Sequence, residues 1–403
     1  MNVPFFRPSI GESEKSAVNA VLQSGWLTTG QVVRRFETAF AAYLNVRHAV
    51  ALNSCTAALH LALETIDLKR DDAVLVPTMT FAATAEVVRY FGARPILVDC
   101  EPATLLIDPG ALEAAILRWS SKVNIRAVIP MHYGGQMADM HRIAELSRKY
   151  SIQVIEDSAH ALPAQIRRSA AHAWETVGST SPLTCFSFYA NKCITTGEGG
   201  MVVTNDAAAA ERIRMMSLHG LSKDAWNRFD TEGYWYYEIV EAGFKYNMTD
   251  VAAAIGLAQL EKVDHFWQQR RRVARQYSER LAGCAEWIEP YAELVNRQSS
   301  WHLYPIRLRL DRLGIDRAQF IDGLKQRGVT CSVHWMPLHL HPYYRRAYGI
   351  RPEDFPVASS EWPRLISLPI FPGMTDEEIE HVCAAVTSIA RKNALAGAVA
   401  AFV

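Results

Sequence analysis

Residues 184–200 read TCFSFYANKCITTGEGG. The apolar run Cys185-Phe186-Ser187-Phe188-Tyr189 predicts a buried strand, which breaks into a polar turn carrying one lysine, Lys192. Two threonines and Gly197-Glu198-Gly199-Gly200 follow, and Met201-Val202-Val203 predicts a second strand. Burial between two strands would depress the pKa of a lysine and leave its amine nucleophilic. The competing reading is a surface lysine on a glycine-rich hairpin.

A second stretch bears on that choice. Val154 to Asp157 predicts a strand that ends in a carboxylate, with His160 three residues beyond. An acid at the carboxyl end of a parallel strand stands where α/β proteins bind ligands. Upstream, Asn53-Ser54-Cys55-Thr56 opens a helix over Ala57–Leu63, and free N–H groups at such a start can cradle a phosphate. Ordinary capping by Ser54 or Thr56 is the alternative there. Lysine, aspartate and a phosphate cradle are the parts a pyridoxal phosphate (PLP) enzyme needs. The lysine bonds the cofactor's aldehyde carbon, and the carboxylate partners its ring nitrogen.

EDSAHA (156–161) followed by FSFYANKCITTGEGG (186–200) resembles the DegT group of PLP-dependent aminotransferases, which act on nucleotide-linked keto sugars. The resemblance runs from SGWLTTG at 24–30 to SLPIFPGMTDEE at 367–378. It implies an α/β chain of aminotransferase fold-type I. Residues 1–264 would be a large PLP-binding domain, its mostly parallel sheet lying between helices. Residues 265–403 would be a smaller C-terminal α/β domain. It further implies Lys192, Asp157 and His160 as catalytic residues, Cys55, Thr56 and Ser187 around the cofactor phosphate, and Phe81 stacked on the ring. GFKYNMTD (243–250) would enter the neighbouring subunit's site of a homodimer, its Asn247 reaching the phosphate. Trp26 and Thr28 of the SGWLTTG loop, with His334 and Trp335, are the expected substrate contacts.

Strands are expected at His48–Leu52, Ala73–Pro77, Pro95–Val98, Ala127–Met131 and 152–157, alternating with helical patterns. The long charged helix from His265 is expected to bridge the domains. Beyond it lie strand Tyr304–Leu310, helix Arg317–Arg327, strand Val329–Val333 and a capping box at Thr375 and Glu378. Between Ala164 and Pro182 the chain departs from the family pattern, and no function is placed there. Seven aromatics from Trp226 to Phe244 read as packing or a dimer face. His334, His339 and His341 lack a nearby carboxylate or cysteine at ligand spacing, so no metal is expected.

Composition narrows the partners. Lys plus Arg equals Asp plus Glu at 42 each, which gives no reason to expect nucleic acid or an anionic membrane. Seven cysteines without a CxxC pair fit reduced thiols, hence a cytoplasmic protein. MNVPFFRPSIGESEK has no basic-then-apolar leader pattern, and the C-terminal ALAGAVAAFV is too short to span a bilayer.

The runs CSVHW (331–335) and PLH (337–339), with SLHGLSKDAWNRF (217–229), resemble C4-aminating enzymes of UDP-4-keto sugars in the 4-amino-4-deoxy-L-arabinose branch. That resemblance implies L-glutamate as donor and a role in lipopolysaccharide or other surface glycan synthesis. Three alternatives stay open: a GDP-4-keto-6-deoxymannose (perosamine) enzyme, a C3-specific dTDP-keto-sugar enzyme, and a PLP-binding regulator without turnover. Sugar dehydratases of this group carry histidine in place of the lysine, so Lys192 stands against that activity.

Overall fold

The computed structural model describes residues 1–221 and 237–395. The SKDAWNRF run, five of the seven aromatics and the end of the C-terminal tail lie outside the described residues.

From the amino end the elements are α1 (Glu12–Ser24), α2 (Gln31–Leu44), β1 (His48–Leu52), α3 (Cys55–Thr65), β2 (Asp72–Pro77), α4 (Ala82–Tyr90) and β3 (Arg94–Val98). Next come α5 (Pro109–Trp119), β4 (Asn124–Val128), α6 (Met140–Tyr150) and β5 (Gln153–Asp157). A short hairpin, β6 (Gln165–Ile166) and β7 (Glu175–Thr176), leads into β8 (Leu183–Ser187), β9 (Gly200–Thr204) and α7 (Ala207–Ser217). Beyond residue 237 come α8 (Asp250–Leu260), α9 (Val263–Leu281), β10 (Ile288–Pro290), β11 (Arg297–Gln298) and β12 (Tyr304–Leu308). The chain continues through α10 (Arg317–Gln326), α11 (Pro342–Tyr348), α12 (Pro356–Glu361), β13 (Leu365–Leu368) and α13 (Asp376–Lys392).

The main sheet runs β1-β9-β8-β5-β4-β2-β3. Its neighbours pair in parallel from β3 across to β8, and β9 alone runs against the rest. This is the mostly parallel α/β sheet that the resemblance leads one to expect. Both faces are apolar, as the near-continuous hydrophobic strands require. On one face Phe36 and Phe40 of α2 meet Phe186 and Phe188, with ring centroids 5.2–5.5 Å apart between helix and strand.

Local signals fix several helix starts. Ser54 Oγ accepts from Ala57 at α3, Thr249 caps α8, and Thr375 with Glu378 forms the expected box at α13.

One expectation is corrected. Residues 329–333 form no strand, because the segment divides its bonds between two partners. Val3 and Gly328–Thr330 exchange backbone bonds, and Ser332 then exchanges two with Ser367. The strand at that edge is instead β13, in a small antiparallel sheet ordered β10-β12-β13. The divergent segment 164–182 carries the hairpin β6–β7, which β11 extends into a third sheet. Among the described residues no helix is long and apolar enough to cross a membrane.

Candidate active site

Strand alternation decides which side chains reach the site. Phe186 of β8 and Phe188 just beyond it face α2. Cys185 packs in the opposite core, the side on which Ser187 meets α3. On β5 the same alternation sends Asp157 to the α3 side and Glu156 away from it. Glu156 is fully buried, yet His132 Nε2 at 2.7 Å, Thr180 Oγ1 at 2.7 Å and Ser181 Oγ hold it ionised. Ala138 N–H donates to His132 Nδ1, so the proton of His132 sits on Nε2, toward Glu156.

The turn before α3 makes the cradle. Ser54 Oγ takes the Ala57 N–H and the Ser54 carbonyl takes that of Ala58. The N–H groups of Cys55 and Thr56 have no acceptor among the described residues. Gly200 at the start of β9 lies against this turn. A Cβ there would stand 2.4 Å from the Ser54 carbonyl and 2.6 Å from the Cys55 nitrogen, so only glycine fits.

A cavity of about 330 Å³ opens in front of the cradle. Asp157, which is 4% exposed, and Lys192 both line it. Asp157 Oδ2 accepts from Thr84 Oγ1 at 2.7 Å, and Oδ1 from the Ala159 N–H at 3.2 Å. Burial pushes the Asp157 carboxyl up, against Thr84, Ala159 and the charge of Lys192. No cation pairs with Asp157 among the described residues, and the Lys192 amine likewise has no hydrogen-bond partner there. Burial pushes that amine down, against the pull of Cys55 and Asp157.

His160 and Trp335 form a wall, their rings stacked at 5.0 Å. His302 stands 4.1 Å behind His160. His334 is pinned through Nδ1 to Ser367 Oγ at 2.9 Å and through its carbonyl to the Tyr133 hydroxyl at 2.7 Å. Burial, and then the charge of Lys192, push His334 down to about 3. The segment after Trp335 is tied to β2, since Leu338 N–H donates to the Thr78 carbonyl and His339 bonds Thr78 Oγ1 at 2.7 Å. Phe81 is 58% exposed at the rim and, like Trp335, borders the cavity.

Nine of the sequence-predicted residues therefore meet at one cavity: Cys55, Thr56, Phe81, Asp157, His160, Ser187, Lys192, His334 and Trp335. Trp26, Thr28 and Asn247 do not line it. They gather at Thr29, where Asn247 Nδ2 donates to Thr29 Oγ1 at 2.7 Å and the Trp26 indole donates to the Thr29 carbonyl. The Thr28 carbonyl accepts from Asp250, whose carboxylate caps the start of α2. Sequence reading missed Thr84, His302, and the lining residues Tyr189, Asn191 and Glu198. Thr84 could have been found, because it falls one helical turn after Phe81 beneath the predicted strand ends.

The profile of the DegT/DnrJ/EryC1/StrS aminotransferase family matches residues 8–387. An uncharacterized protein of Methanocaldococcus jannaschii is 43% identical over 391 residues, covering 97% of this chain and 98% of its own. The spore coat polysaccharide biosynthesis protein SpsC of Bacillus subtilis is 40% identical, covering 96% and 97%. Among solved structures, a protein described as a sugar aminotransferase of Streptococcus pneumoniae, in its PLP form, superposes with a TM-score of 0.87. It is 30% identical, and the match covers 97% of this chain and 99% of that one. This chain belongs to the PLP-dependent DegT/DnrJ/EryC1/StrS aminotransferase family and is a transaminase.

Proposed function

We propose that this enzyme transfers the amino group of L-glutamate to C4 of a UDP-linked 4-keto sugar, a pentose or 6-deoxyhexose. The observation that carries the amino-transfer reading is a buried aspartate and a buried lysine, neither in an ion pair among the described residues, lining one cavity in front of the α3 N-terminus.

The residues present fit PLP. The Cys55 and Thr56 N–H groups and Ser187 would hold its phosphate, in a cradle that any side chain at position 200 would obstruct. Asp157 would partner its ring nitrogen, and Phe81 and His160 would flank its ring. Lys192 would supply the amine that bonds its aldehyde carbon. When bound, PLP serves as the electron sink that lets an amino acid's α-proton be removed.

The chain's own groups then have defined tasks. Asp157 keeps a proton on the ring nitrogen, because a buried carboxylate favours an adjacent cation. Lys192, its pKa lowered by burial, takes the α-proton of the donor and later delivers a proton to C4 of the sugar. His334, Trp335, Tyr189 and Glu198 offer polar groups and an aromatic wall for sugar hydroxyls and ring.

Residues 1–264 are assigned to the large PLP-binding domain and 265–403 to the small one, stitched by the pairing of β11 with β6. In a homodimer Asn247 would serve the neighbouring cavity, a role supported by its absence from the lining of the subunit's own cavity. The polysaccharide role in the name of the Bacillus relative supports a glycan pathway. Offering the glutamate-treated protein UDP-, GDP- and dTDP-linked keto sugars tests the substrate. Turnover confined to a 3-keto sugar or to dTDP sugars would defeat the C4 and UDP assignments.

A further inference from the structure

The apolar core on the α3 side of the main sheet is built from the earlier part of the chain, with one exception. Its buried members run from Val50 to Met216, and then Leu338, Tyr344 and Phe355 join them. The elements that flank this late segment in sequence, β12, α10, β13 and α13, pack in the other core instead. Residues 338–355 are thus a piece of the later chain buried among the strands and helices of the earlier one.

Polar fastenings hold the segment at two neighbouring strand ends. Asp99, one residue beyond β3, accepts from the Val357 and Ala358 N–H groups at 2.9 and 3.0 Å, at the start of α12. Thr78, one residue beyond β2, takes the Leu338 N–H on its carbonyl at 2.9 Å and the His339 N–H on its Oγ1 at 3.3 Å. The same Oγ1 lies 2.7 Å from His339 Nδ1. On the far side of the ring, Ser359 Oγ gives its proton to the Pro352 carbonyl, so it accepts from His339 Nε2 at 2.9 Å. The proton of a neutral imidazole is then on Nε2, and Nδ1 accepts from the Thr78 hydroxyl. Both ring nitrogens are used, Phe355 stacks on the ring at 4.7 Å, and His339 and Thr78 are fully buried.

Four residues upstream of His339 stands the cavity wall. His341 Nε2 donates to the Met336 carbonyl at 3.1 Å and closes the loop between them. Trp335 meets only rings that lie on other elements, His160 at 5.0 Å, Tyr133 at 5.9 Å and Phe81 at 6.3 Å, so its place depends on where residues 336–339 deliver it. We propose that residues 338–359 are a strap fixed to the ends of β2 and β3, and that His339, through its bond with Thr78, is the positioning residue that sets His334 and Trp335 for recognition of the sugar. Lys192, Asp157 and the cradle stand on the β8–β9 turn, β5 and the start of α3, and have their own supports. Loss of the strap's anchor should therefore weaken use of the sugar more than reaction with the amino donor.

The inference rests on the keto-sugar reading for its ligand, and the test separates the two. Thr78→Val keeps the shape and removes the hydroxyl. In the holoenzyme, amide hydrogen exchange of the peptide 333–341 should quicken roughly tenfold, the scale of one lost buried hydrogen bond, and Thr78→Ser should restore it. In Thr78→Val, kcat/KM for the UDP-4-keto sugar should fall roughly tenfold, chiefly through KM. Bound cofactor and 2-oxoglutarate release from L-glutamate should stay near the parent values. His339→Phe, which keeps a ring against Phe355, should act in the same way. The double variant should lose about the same single factor rather than the product, because both changes remove one bond. Parent-like exchange in Thr78→Val, or faster exchange with an unaltered sugar KM, would overturn the proposal. If the parent enzyme aminates no keto sugar, the substrate reading fails, and exchange of 333–341 still decides whether Thr78 and His339 hold the wall. If His339→Phe does not fold, the Thr78→Val and Thr78→Ser pair decides the outcome.

Discussion

Thr84 Oγ1 lies 2.7 Å from Asp157 Oδ2 and 2.7 Å from Thr80 Oγ1. A carboxylate only accepts, so Thr84 gives its proton to Asp157 and must receive one from Thr80. The two hydroxyls thus form a directed pair that favours the ionised aspartate, against the burial that disfavours it.

Replacing Thr84 by valine keeps the shape and removes the donor. The Asp157 carboxyl should then rise further above its ordinary value, since the ionised form loses a hydrogen bond. Activity that needs ionised Asp157 is lost as pH falls through that pKa. The acid limb of the kcat/KM profile should therefore move to higher pH, by about one unit for a bond worth ~1.4 kcal/mol. An acid limb that stays in place would mean that Thr84 does not govern Asp157.

Asp157→Asn should retain the cofactor while slowing turnover by roughly 10³-fold or more, because a neutral amide no longer keeps the ring nitrogen protonated. Steady-state rates with bound-cofactor content measured in parallel check this. Near-normal turnover would require another anion at the ring nitrogen.

Much of this site was readable from residue order because its parts sit at strand ends. Asp157 closes β5, Ser187 closes β8, and Ser54–Thr56 opens α3, so alternation and helix-start chemistry predict which side chains converge. His302 carried no such signal. It precedes β12, and the contact with His160 depends on the close approach of 299–303 to Gly135, which no local pattern encodes. The misread strand at 329–333 has a similar cause: its apolar residues are real, but their hydrogen bonds are divided between the amino terminus and β13. The Asn247 and Trp26 motifs came from resemblance, and their meeting through Thr29 is visible only in three dimensions.

If Asn247 serves the neighbouring cavity, Lys192→Ala and Asn247→Ala chains should complement when mixed. Each mixed dimer would contain one site with both residues intact, so about half of the exchanged sites in that dimer should recover activity. Activity after verified subunit exchange is the measurement. No recovery would mean that Asn247 does not act across a subunit boundary.

Glu14 joins α1 to α8 through Gln259 Nε2 at 2.7 Å and to the start of α9 through Lys262 Nζ at 2.5 Å. Burial opposes its ionisation, but Lys262, the Gly11 N–H and Gln259 outweigh burial and hold its carboxyl down at about 2. A folded-state pKa below the unfolded one stabilises the protein above the unfolded value, and that stability is lost as pH falls through about 2. Glu14→Gln should cost on the order of 2 kcal/mol at neutral pH, and the gap to the parent should shrink below about pH 4.5. Denaturant melts of both proteins at several pH values measure it. A gap independent of pH would remove the carboxylate from the account.

The central claim is that Lys192 carries amino transfer to a keto sugar, and a two-stage single-turnover measurement tests it most directly. PLP-loaded protein is mixed with L-glutamate, the 2-oxoglutarate released is counted, and a UDP-4-keto sugar is then added and the amino sugar counted. The account predicts one 2-oxoglutarate and then one amino sugar per active site, with neither product from Lys192→Ala that still binds the cofactor. Both products from Lys192→Ala, or 2-oxoglutarate from the parent with no amino sugar from any UDP-, GDP- or dTDP-linked keto sugar, would contradict it.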